Sequence, residues 1–156
     1  MFNAHPQFNT FYNKHVKLDD IIYKQLREYR NKNLERLNTG LNKLGHNAPI
    51  KDRGQGSYSM GTMVRQPNND YDIDHAIIFR ADDLPNDPLD ARTYIIDALC
   101  SSGDTHLFSK PPQRRTNAVT VWYQAGHHVD LAIYRCFEGA FGKEVFQHAG
   151  TEWRER

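Results

Sequence analysis

Cysteine is scarce in this chain: Cys100 and Cys136 are the only two in 156 residues. Neither stands in a disulfide framework or at a zinc-ligand spacing. Both are expected to be small buried hydrophobes in a reducing cytosol. Long apolar runs are missing as well, and a membrane-spanning helix needs about 20 such residues. The opening MFNAHPQFNT lacks the basic–apolar layout of a signal peptide. Charge of one sign is also wanting, since the formal net charge is +1. That balance gives no basis for strong backbone-driven binding to DNA or RNA. Repeats and low-complexity segments are absent too. What remains, with 38% hydrophobic and 25% charged residues, is material for one soluble, cytoplasmic globular domain with a single core.

The helical signals are local and physical. Asp19 can cap a helix whose apolar positions recur at Ile22, Leu26, Tyr29, Leu34, Leu37, Leu41 and Leu44. Gly45 is the expected stop, with Gly40 as an earlier one. The residues before it, 1–10, read as a polar, irregular arm. Asp87-Pro88 reads as an N-cap and first helical position, with the helix running to about Ser101 and ending at Gly103. Ala48–Arg53 is a short approach to a Gly-Ser turn, and Ser57–Val64 a short helix. Tyr71–Phe79, Ala118–Tyr123 and His128–Arg135 alternate as strands, the last two joined at Gly126 as a hairpin.

The chemistry concentrates in Gln55–Phe79, QGSYSMGTMVRQPNNDYDIDHAIIF. Gly56 leaves bare backbone N–H groups free to approach a phosphate, and Ser57 adds a hydroxyl. The two-residue period of a strand puts Asp72 and Asp74 on one face, a few ångströms apart. Two such carboxylates repel unless a cation lies between them. Mg²⁺ is the natural candidate, because it prefers hard oxygen ligands and shares its shell with substrate phosphates. Asp70-x-Asp72 is a rival dyad by spacing, but Asp70 belongs to the turn QPNND. His127-His128 does not make a zinc site: neighbours on a strand point to opposite faces, and no further Cys or His stands at zinc spacing.

GSYSMGT, then DYDID, then VTVWYQAGHHVDLAIYR together resemble the active-site motif of the DNA polymerase β-like nucleotidyltransferases. Within that superfamily the pattern is most similar to the CD-NTases (SMODS domain), bacterial relatives of cyclic GMP–AMP synthase and oligoadenylate synthase. The resemblance covers roughly Asp19 to Tyr134. It implies an α/β palm-like fold, a mixed sheet of about four or five strands backed by helices, with a long N-terminal helix along its back. It implies Asp130 as a third carboxylate beside Asp72 and Asp74, the three holding two Mg²⁺ ions (Mn²⁺ as substitute). Gly56 and Ser57 become the triphosphate-binding turn, with Gln55 beside it.

The same resemblance implies an enzyme that takes NTP substrates, ATP, GTP or others, and makes a cyclic di- or trinucleotide. In that family the product acts on a downstream effector in bacterial anti-phage (CBASS) signalling. It also divides the chain into an arm and helix, 1–45, a Gly-Ser/Asp-x-Asp core, 46–137, and the start of a missing helical lobe, 138–156. A linear-oligonucleotide or protein nucleotidyltransferase would use the same core, and a non-catalytic nucleotide-binding module would retain part of it. Lys110, Arg114 and Arg115 form a compact basic group that could meet nucleotide phosphates or lie solvated in a loop. Thr62 and Arg65 fit helix packing better than ligand binding.

Overall fold

The computed structural model describes residues 3–155. Its centre is an eleven-residue strand, β5, His128–Glu138. One edge of β5 pairs in parallel with β2, Asp72–Arg80, along its first nine residues. The other edge is shared. β4, Val119–Trp122, pairs antiparallel with the first part of β5, and β6, Glu144–Ala149, with the last part. β1, Lys51–Gly54, closes the far side of β2, while β3, Gln113–Arg114, and β7, Trp153–Glu155, extend the two forks. The sheet thus holds seven strands, five of them on one path, β1-β2-β5-β4-β3.

Alternation sorts the two faces. Val129, Leu131 and Ile133 of β5 are fully buried, as are Ile73, Ile77 and Phe79 of β2 and Val119 and Val121 of β4. They join one apolar cluster with Leu26, Leu37 and Leu41 of α2, Asp20–Lys43, and Ala91, Ile95, Ala98 and Leu99 of α4, Pro88–Ser101. Both helices begin as the sequence indicates. The Asp19 carboxylate accepts from the N–H of Ile21, and Asp87 from those of Leu89 and Asp90. Gly40 does not end α2. It lies against α4 so closely that a Cβ there would sit 1.6 Å from the Ala98 carbonyl oxygen. Helix-stop chemistry and close helix approach call for the same residue, and here the second applies.

Several stretches depart from the sequence reading, the expected helix Ser57–Val64 among them, which runs only over Gly56–Met60. The arm contains a helix, α1, His5–Phe11, followed by a π-helical turn, Tyr12–Val16. None of its residues is buried, so no apolar stripe signals it, although Pro6 suits a first helical turn. Arg65 ties this segment down: its guanidinium donates to the carbonyls of Lys14 and Lys17. The approach to the Gly-Ser turn is strand β1. Residues 138–155, expected to begin a helical lobe, instead supply β6 and β7 to the core sheet. Their polar outward positions hide the alternation, whereas the unpaired half of the β5 edge supplies hydrogen-bond partners for them.

Candidate active site

On the sheet face opposite the apolar cluster, the ladder brings the sequence-derived carboxylates together. Asp74 and Asp130 are direct partners in the parallel β2–β5 register, and Asp72 is partnered by His128. Asp72 is exposed; Asp74, His128 and Asp130 are half-buried. Burial pushes the Asp74 carboxyl above its ordinary range. The charges of Asp72 and Asp130 add to the rise, and His128 opposes it. Negative charge therefore concentrates around Asp74, with His128 the opposing group.

The Gly-Ser turn is built against this face. Gln55 donates its backbone N–H to the Asp74 carbonyl, 2.8 Å, and its side-chain amide reaches the Tyr134 hydroxyl at 3.3 Å. Gly56 follows at φ 63°, opening the short helix α3, Gly56–Met60. A Cβ on Gly56 would lie 2.1 Å from a carboxylate oxygen of Asp74. Only glycine combines that left-handed backbone with that approach. Ser57 occupies the first turn of α3, and its carbonyl accepts from the Thr62 N–H. Thr62 and Arg65 are exposed and bond to backbone carbonyls, the Thr62 hydroxyl to that of Ser57 and Arg65 as described above.

Thr120 and Trp122, which motif reading passes over, help complete the face. The Thr120 hydroxyl donates to Asp130 Oδ1 at 2.5 Å and fixes one oxygen of that carboxylate. The Trp122 ring lies tilted against that of His128, centroids 4.6 Å apart. Lys110 lies over the Trp122 ring at 4.0 Å, and Arg115 flanks it at 5.7 Å. The Trp122 indole N–H is buried without a partner. Period-two spacing from the buried Val119 and Val121 is the signal that could have put Thr120 and Trp122 on this face. Arg114 departs from the basic group and turns to the Thr93 hydroxyl of α4.

Asp70 stays outside β2, with its carboxylate 3.4 Å from His128 Nδ1. His127 is buried in the turn, its Nδ1 facing the Asn69 carbonyl at 2.9 Å. The two histidines therefore part, as strand geometry requires.

Three carboxylates on one face form a hard, all-oxygen donor set of the kind Mg²⁺ accepts. Among the described residues no three histidine, cysteine, aspartate or glutamate side chains gather closely enough to hold a metal ion by themselves. An ion that takes one or two carboxylates and fills its shell with water and phosphate oxygens needs no such cluster.

Residues 51–134 match the family model of the cyclic GMP–AMP synthase DncV-like nucleotidyltransferase domain. The chain belongs to that family. The match begins at β1 and ends within β5, so it takes in the turn, both strands of the face and all three carboxylates. Solved DncV-like structures share the fold. CdnC of E. coli MS115-1, with ATP, superposes with a TM-score of 0.70 at 21% identity, over 97% of this chain and 47% of that one. DncV of Vibrio cholerae, with the linear intermediate pppA(3′,5′)pG, gives 0.70 at 14% identity, over 100% and 58%. CdnG of Bradyrhizobium diazoefficiens, with GTP, gives 0.63 at 18% identity, over 91% and 40%. The chain therefore spans about half the length of these solved relatives. Among the described residues, no helix is long and apolar enough to cross a membrane.

Proposed function

We propose that this chain is the catalytic lobe of a nucleotidyltransferase that joins nucleoside triphosphates into a cyclic di- or trinucleotide. The observation that carries the reading is Asp74 and Asp130 as ladder partners, with Gly56 pressed against the Asp74 carboxylate. In each transfer a nucleotide hydroxyl oxygen bonds to the α-phosphorus of the donor. The α–β phosphoanhydride bond breaks, pyrophosphate leaves, and the hydroxyl gives up its proton. Asp72, Asp74 and Asp130 would hold Mg²⁺ (or Mn²⁺), which supplies acidification of the attacking hydroxyl and charge neutralisation on the leaving group.

The chain's own part is positioning, the main demand of phosphoryl transfer. Gly56 lets the backbone approach the triphosphate, Ser57 adds a hydroxyl, and Gln55 steadies the turn through Tyr134. Thr120 keeps Asp130 in one orientation. Lys110 and Arg115, gathered about Trp122, would meet nucleotide phosphates. ATP and GTP, the nucleotides found with the solved relatives, are the first substrates to try. The cyclic product would act on a separate effector in anti-phage signalling.

Labelled NTPs incubated with Mg²⁺ or Mn²⁺, treated with phosphatase and resolved by chromatography, test the reading. A phosphatase-resistant product that disappears in Asp72→Asn/Asp74→Asn is expected. A linear product would redirect the assignment to an oligonucleotide or protein nucleotidyltransferase. Nucleotide binding without turnover, both in this chain and in a version extended at its C-terminus, would leave a non-catalytic binding module.

A further inference from the structure

Where β4 starts and β6 ends, the two strands come end to end beside β5. The junction is tied by the contact of His148 Nε2 with the Asn117 carbonyl, 2.8 Å. Next to it lies an open cleft of about 470 Å³, lined by Arg92, Arg114, Arg115, Thr116, Thr151 and the start of α4 at Asp87. It lies apart from the aspartates. Arg114 is the ladder partner of Val119, which points into the apolar cluster, whereas the next ladder pair on β4, Thr120 with Asp130, points to the catalytic face.

Arg92 is the unusual member. It is 97% buried, with 3% of its surface exposed. Its Nη1 is spent on the carbonyls of Ala149 and Gly150, at 2.7 and 2.6 Å, and its Nε is buried with no partner at all. Among the described residues none of the three arginines forms an ion pair. The single carboxylate of the cleft, Asp87, is already occupied by the N–H groups of Leu89 and Asp90. Two guanidinium groups, those of Arg92 and Arg114, thus face one engaged carboxylate, and burial together with the Arg114 charge disfavours the charged form of Arg92. A buried cation with an unused donor is costly unless an anion completes it.

We propose that this cleft is a second anion site, separate from the catalytic face, which takes a phosphate group. The planar guanidinium fork matches phosphate oxygens in pairs. The Thr116 and Thr151 side chains add hydroxyl donors at its rim. The excess of cationic groups suits a doubly charged terminal phosphate better than a single carboxylate.

Calorimetric titration of inorganic pyrophosphate in EDTA tests this independently of catalysis, because no divalent cation is then present to bridge it to the aspartates. Saturable one-to-one binding is expected, weakened about tenfold or more in Arg114→Gln. Lys143→Gln, which removes the same charge from the β5–β6 turn, should leave it unchanged. Arg92 is kept intact because its Nη1 anchors the end of β6, and unaltered thermal midpoints check the folding of both variants. Displacement by a nucleoside triphosphate would identify a small nucleotide as the source of the phosphate. Displacement by a single-stranded oligonucleotide without terminal phosphates would identify a phosphodiester backbone. Lack of saturable binding, or equal affinity in the chain and Arg114→Gln, would overturn the site.

Discussion

Asp74 carries opposite consequences for stability and for chemistry. Its carboxyl is held above the ordinary value by burial and by Asp72 and Asp130. Its ionised form therefore weakens the fold at neutral pH, and the penalty vanishes when the group is neutral. Asp74→Asn should raise the thermal midpoint in EDTA while abolishing nucleotidyl transfer. A lowered midpoint together with full activity would contradict both statements. Gly56 is bound to the same side chain. Gly56→Ala adds a methyl into the Asp74 oxygen and strains a left-handed backbone, the latter costing roughly 1–2 kcal/mol. Transfer should fall to background in Gly56→Ala, with the chain still folded, and wild-type rates would show that the contact is dispensable. The sequence made Asp72, Asp74 and Gly56 legible because strand period and turn chemistry are local. Thr120, Trp122 and His128 were not, since their roles come from which strands pair, a long-range property.

Helices α2 and α4 were readable for the same local reason: their capping carboxylates lie next to them in the chain. α1 buries nothing, and β6 and β7 depend on the free half of the β5 edge, so no local pattern announces them. Gly40 marks the limit of local reading. Its sequence signal is a helix stop, but its structural work is to let α2 touch the α4 backbone at Ala98. Gly40→Ala would force the two helices apart and should cost about 3 kcal/mol, at the upper end of overpacking in a tight core. Chemical denaturation reads this directly. A stability equal to that of the parent chain would mean that the helix pair is far more yielding than its spacing indicates.

At the scale of the whole molecule, burial makes His75 and His127 resist protonation. His75 is pressed below its ordinary value by burial, against the pull of Asp52, and His127 likewise, against its contact with the Asn69 carbonyl. The unfolded chain takes up protons near the ordinary histidine value of about 6.5, where the folded chain does not. Stability is then complete above that value and falls as pH drops through and below it. Melting curves in metal-free buffer should shift to lower temperature between about pH 7.5 and 5.5; a constant midpoint would refute the assignment. The β2–β5 ladder has a last consequence. The interval between the Asp74 and Asp130 backbones is a property of parallel pairing, common to any pair of strands in that register. Core side chains can drift behind it without moving it. Relatives with four residues in five replaced, as in the 21% identical CdnC, can thus inherit one distance unchanged: evolution edits the upholstery while the frame keeps the measure.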